Sequence, residues 1–105
     1  MKKILQINYT IKERTPELSK AYQKFAPSFG PNGDVKGLNW KIWLSDESGN
    51  PAGGIYLFEH EASVDAYLGG GIIKMMKNSP ALSNMEIKVF DIDPELTKIS
   101  RGPVE

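Results

Sequence analysis

With 105 residues the chain has room for one domain, residues 1–105, and one modest core, since a chain of this size buries roughly 65% of its unfolded surface. Thirteen basic residues balance thirteen acidic ones, which removes the electrostatic case for nucleic acid or an anionic membrane as partner. The lack of cysteine excludes disulfides, thiolate nucleophiles and Cys-based metal sites, and no run approaches the roughly 20 apolar residues of a membrane helix.

The opening Met1-Lys2-Lys3-Ile4-Leu5-Gln6 is basic but has no apolar stretch long enough for a signal peptide, so a cytoplasmic protein is expected. Residues 3 to 11 alternate, with Leu5, Ile7, Tyr9 and Ile11 on one side and Gln6, Asn8 and Thr10 on the other. This period of two predicts a first strand. Thr15-Pro16-Glu17 is a helix start, with Thr as cap, Pro at the first position and an acid in the first turn. Leu18, Ala21, Tyr22 and Phe25 then form one apolar stripe that Pro27 ends.

Ser28 to Lys36 holds Gly30-Pro31 and Asn32-Gly33 and reads as a turn-rich loop. A second strand follows, with Leu38, Trp40, Ile42 and Leu44 on one face and Lys41 and Trp43 on the other. Asp46 to Pro51 is a polar hairpin loop, and the third strand, Gly54 to Glu59, is apolar on both faces until its end. Ala62 to Leu68 is expected to be helical, interrupted by Gly69-Gly70-Gly71 and resumed over Ile72 to Asn78. Met85, Ile87 and Val89 alternate in a fourth strand, and Asp93-Pro94-Glu95 opens a short last helix.

The order strand, helix, strand, strand, helix, strand predicts an α+β fold: a ferredoxin-like βαββαβ antiparallel sheet with helices on one face. Two helices cover only one side of four strands. Yet the third strand is apolar on both sides (Ile55 and Leu57 against Tyr56 and Phe58), and the second carries a tryptophan on each. A face open to water would be polar throughout. A second copy packed sheet to sheet is the simplest cover, so a homodimer is expected.

The stretches Gly37-Leu38-Asn39-Trp40-Lys41-Ile42-Trp43 and Ala52-Gly53-Gly54-Ile55-Tyr56-Leu57-Phe58, with Ser63, Ala66-Tyr67-Leu68 and Lys88-Val89-Phe90-Asp91, resemble the YdhR-like family of small monooxygenases. The resemblance covers nearly the whole chain and implies a dimeric α/β barrel, in which two ferredoxin-like sheets face each other. It further implies cofactor-independent oxygen chemistry on a small aromatic or enolisable compound, with no cofactor held by the protein. The Asn, Trp and Tyr set of the related quinone-forming enzymes has no residue-by-residue match here. Haem-degrading relatives use an axial histidine from a helix, whereas His60 is expected at a strand end, so haem degradation is disfavoured.

Tyr56 is the first catalytic candidate, because a phenol can orient a substrate hydroxyl or stabilise an enolate. The alternative is a cross-strand aromatic pair. Trp40 and Trp43 can stack on a planar ligand or pack as core and interface. Asn8 can fix a ligand carbonyl beside Gln6 and Thr10, with Phe58 as a further wall, and a satisfied interface is the competing reading. Lys41 is expected at a solvated strand edge, with anion binding as its alternative. His60, at a helix start, can act as a base or simply sit exposed. One histidine without cysteine or a carboxylate cluster argues against metal. Three outcomes stay open: a monooxygenase-like enzyme, a non-catalytic ligand-binding or stress-associated dimer, and an isomerase or lyase using His60.

Overall fold

The computed structural model describes residues 1–104. Strand β1 (Lys3–Ile11) leads into α1 (Pro16–Phe25), where the Leu18 N–H donates to Thr15 Oγ1 at 3.2 Å, the cap that the Thr-Pro-Glu triplet predicts. Pro27 does end α1, but the chain tightens into a 3-10 turn over Ala26–Phe29 before the loop begins. The hairpin β2 (Leu38–Ser45) and β3 (Pro51–Phe58) follows, then α2 (Glu61–Leu68), α3 (Gly71–Asn78), β4 (Leu82–Asp91) and α4 (Pro94–Ile99). Gly69 and Gly70 close α2 and open α3, so the triple glycine is a joint between two helices.

The four strands form one antiparallel sheet in the order β2-β3-β1-β4, the ferredoxin-like arrangement. Register assigns the faces. Leu5, Ile7 and Tyr9 pair with Tyr56, Gly54 and Ala52 on β3, and Leu5 and Ile7 with Val89 and Ile87 on β4. These positions lie under the helices. The core is built from Leu5, Ile7, Tyr9, Ile11, Tyr56, Phe58, Val64, Tyr67 and Ile73, each side chain contributing roughly 1.5–3 kcal/mol through burial. Helix α1 buries no residue fully; Leu18 and Tyr22 rest on the edge of the core.

A bulge in β2 between Leu38 and Trp40 corrects the regular alternation expected there. Leu38 pairs with Phe58 and joins the helix-side core, while Trp40, Ile42 and Leu44 occupy the other face. A second irregularity shifts β4 against β1 between Asn8 and Thr10, with Asn84 at a φ of 54°, a conformation asparagine tolerates.

Gly53 is the tightest point of the sheet. A Cβ there would stand 2.1 Å from the Ile7 carbonyl oxygen and 3.2 Å from Asn8 Cα, both backbone atoms of the central strand. Gly53→Ala should therefore cost about 3 kcal/mol, read as a lower urea midpoint at unchanged slope. A neutral outcome would mean that β1 and β3 separate freely at this pair.

The face away from the helices carries Ile4, Gln6, Asn8, Ile55, Leu57, Trp40, Ile42 and Phe90 by register. Ile42 and Phe90 are 50% and 47% exposed. Leu57 is fully buried, and the Trp40 indole N–H donates to the Pro103 carbonyl oxygen at 2.7 Å, drawing the C-terminal segment to this face. Among the described residues no helix is long and apolar enough to cross a membrane.

Candidate functional site

Opposite Tyr56 and Gly54 on the helix side stand Lys41 and Trp43 of β2, beside the 3-10 turn that carries Phe29. The Lys41 arm lies across β3 because Gly54 has no side chain: a Cβ there would meet Lys41 Cε at 2.9 Å and the Tyr56 ring at 3.1 Å. The ammonium nitrogen Nζ then sits 3.3 Å from the Trp43 ring centroid, 3.8 Å from that of Phe29 and 4.7 Å from that of Tyr56. Attraction to the ring faces favours a cation there. Desolvation is the opposing and larger effect: burial holds the amine down at about 7, against an ordinary 10.5. Lys41 does lie on an edge strand, but the solvation expected there is overturned, because the 3-10 turn folds Phe29 over its amine.

The rings form one connected cluster. Phe29 meets Trp43 edge-on at 5.5 Å, Tyr67 at 6.0 Å and Tyr56 at 6.1 Å, while Tyr22 meets Trp43 at 5.8 Å. Two phenol pairs tie strands to helices: Tyr9 to Tyr22 at 2.9 Å between oxygens, and Tyr56 to Tyr67 at 3.2 Å. Burial pushes Tyr9 and Tyr56 well above the ordinary phenol range and Tyr67 up to about 12. These hydroxyls stay protonated in neutral solution and serve as hydrogen-bonding groups, not bases.

Two cavities meet here. An inner chamber of about 100 Å³, open to solvent beside Trp43 and Met75 (44% and 45% exposed), is lined by Tyr9, Tyr22, Phe29, Lys41, Trp43 and Met76, among others. An outer cleft of about 440 Å³ runs past Asp34, Lys36, Ser63, Tyr67 and Gly70. Phe25, Ile72 and Met75 border both, so they form the partition between cleft and chamber.

The residues singled out in the sequence do not share one pocket, because the sheet separates them. Trp43 walls the inner chamber, with Tyr56 below Lys41; Phe58 is core, stacked on Tyr56 at 6.1 Å. Trp40 and Asn8 are on the opposite face, where Asn8 accepts from Gln6 at 3.4 Å and borders an open polar depression with Thr10, Asp46 and Glu86. His60 is exposed at the start of α2. Its Nδ1 accepts from the Ser63 N–H at 3.3 Å and lies 3.0 Å from Ser63 Oγ, so this nitrogen caps the helix. His60→Asp should then hold stability to within about 0.5 kcal/mol and His60→Ala should lose about 1 kcal/mol by urea unfolding. Equal loss in both would assign His60 something other than capping.

Sequence reasoning missed Phe29 and Tyr22, and it ranked anion binding by Lys41 below a solvated strand edge. Phe29 lies at the edge of a turn-rich loop, where no periodicity says which way a ring points. For Lys41 a signal existed, in its alternation with Trp43 and its place opposite Tyr56. Among the described residues no group of three or more His, Asp or Glu could hold a metal ion.

The same architecture occurs in solved structures of low sequence identity. SnoaB from Streptomyces nogalater, a cofactor-independent oxygenase, superposes with a TM-score of 0.66 at 16% identity, covering 88% of this chain and 93% of that one. The haem-degrader MhuD from Mycobacterium tuberculosis, with two haems bound in its active site, superposes with a TM-score of 0.58 at 16% identity, covering 86% and 95%. No curated protein matches at the sequence level. A family model matches residues 4–103, nearly the whole chain, and the protein therefore belongs to the family described as "Putative mono-oxygenase ydhR".

Proposed function

We propose that this protein is a monooxygenase-like enzyme that acts, without metal or flavin, on a small planar aromatic or enolisable compound. The observation that carries this reading is the helix-side chamber, walled by five aromatic rings among aliphatic side chains and holding one amine, in a chain of a mono-oxygenase family. The likeness to SnoaB supports independence from a cofactor. Such chemistry needs a substrate that forms a stabilised carbanion, a base, hydrogen bonds to the developing oxyanion and exclusion of water. The overall change would take one CH₂ centre and O₂ to a carbonyl and water. The chamber alone is smaller than the 300–1,000 Å³ usual for ligand sites, so the substrate would extend past Phe25 and Met75 into the outer cleft. A haem does not suit these residues: His60 borders neither cavity and its Nδ1 is committed to α2.

The working unit in this reading is a homodimer joined through the sheet face away from the core helices, where Ile42 and Phe90 are exposed. Oxygen uptake with a panel of hydroxylated polycyclic compounds tests the activity. Substrate-dependent uptake that falls at least about tenfold in Trp43→Ala supports it. No uptake and no binding across the panel would leave the aromatics as core and interface only. Equilibrium sedimentation at micromolar concentration tests the assembly, and a monomer would contradict it.

A further inference from the structure

We propose that Lys41 Nζ is the proton acceptor of this site, and that its ligands are planar compounds bearing an acidic O–H, phenols or enols, which it binds as their anions. Three observations on geometry carry this. First, the amine is enclosed by the rings of Trp43, Phe29 and Tyr56 on the floor of the inner chamber, so a flat ligand entering past Met75 meets it directly. Second, Lys41 makes no hydrogen bond or ion pair with another described residue, leaving its lone pair or its N–H groups for a ligand. Third, Gly54 keeps open the space in which the arm lies, and a Cβ there would stand 2.9 Å from Lys41 Cε and press the arm aside.

Apart from the amine, the titratable groups nearest this site are phenols. Tyr9 of β1, Tyr22 of α1, Tyr56 of β3 and Tyr67 of α2 surround this region, and no acid lines the chamber; Asp34 and Lys36 belong to the outer cleft. A carboxylate partner would hold the amine protonated and idle. Burial instead brings it to about 7, so that both forms are populated near neutral pH. The step is a simple exchange. The ligand O–H bond breaks, its electron pair stays on the ligand and spreads over the ring, and the proton forms a new N–H bond on the neutral amine. The resulting ammonium is stabilised by three ring faces and by the anion it has made. Reversal returns the proton, so the step itself consumes no oxidant.

This rests on the chamber being the ligand site, but not on oxygen turnover. The test uses the full chain and 4-nitrophenol, colourless as a phenol and yellow as a phenolate, with the Lys41 side chain followed by NMR. In the free protein Lys41 should titrate near 7, apart from the other lysines. At pH 6 the bound probe should turn yellow in the parent chain and remain colourless in Lys41→Met. Gly54→Ala, whose added methyl meets Lys41 Cε and the edge of the Tyr56 ring, should bind the probe about 10- to 100-fold more weakly, the worth of one charge-assisted hydrogen bond. A probe that fails to bind, or binds as the neutral phenol, overturns the proposal. So does a Lys41 that titrates with the other lysines. Oxygen uptake that persists at the parent rate in Lys41→Met would overturn it while leaving the oxygenase reading intact. An ionised probe without oxygen uptake would do the reverse.

Discussion

Lys41→Met should be more stable than the parent chain at pH 6, by about 1–3 kcal/mol, and this advantage should fade as the pH rises. Burial lowers the amine to about 7 in the folded chain, against an ordinary 10.5. Between those values the unfolded chain binds more protons, so parental stability climbs with pH across that window. Below pH 7 both states carry the charge and the desolvation penalty is fully present; above 10.5 neither does. Each pH unit of difference corresponds to about 1.4 kcal/mol, from which residual solvent access and attraction to three ring faces subtract. Urea midpoints at pH 6, 8 and 10 measure it. An advantage independent of pH would mean that the amine is solvated. A chain retaining such a group at a cost in stability fits the pattern of functional sites, where environment is arranged to shift titration.

Tyr56→Ala should lose about 3–5 kcal/mol, a large share of the roughly 5–15 kcal/mol that holds a domain together. The ring is almost fully buried and meets Phe29, Phe58 and Tyr67 while forming the floor beneath Lys41. Tyr56→Phe keeps that packing and deletes only the bond to the Tyr67 hydroxyl, so it should cost about 1–2 kcal/mol. Thermal unfolding of the two variants separates ring from hydroxyl. If both lose the same amount, the phenol pair and not the packing is what fixes β3 to α2.

Much of the fold was legible because its signals are local. Thr15-Pro16 and Asp93-Pro94 mark two helix starts at the residues where the caps form, with the Leu96 N–H donating to Asp93 Oδ1 at 3.0 Å. Alternation in β1 separates Leu5, Ile7, Tyr9 and Ile11 from Gln6 and Asn8 as the register does. Leu38 was misread because a one-residue bulge reverses every face before it, and no residue type announces one. The site was less legible than the fold. Its enclosure of Lys41 depends on Phe29 arriving from a loop and on Gly54 being empty, two contacts between segments distant in sequence. Trp40 and Trp43 looked alike in the chain, yet one binds the C-terminal segment and the other walls the chamber.

Those two indoles also supply the most direct test of where ligand binds. In the ¹⁵N-labelled full chain titrated with 4-nitrophenol, the indole N–H signal of Trp43 should shift together with the backbone of Tyr22, Lys41 and Met75, while that of Trp40 stays in place. Shifts confined to Trp40, Asn8 and Ile42 would put the ligand on the helix-free face and contradict the assignment of the chamber.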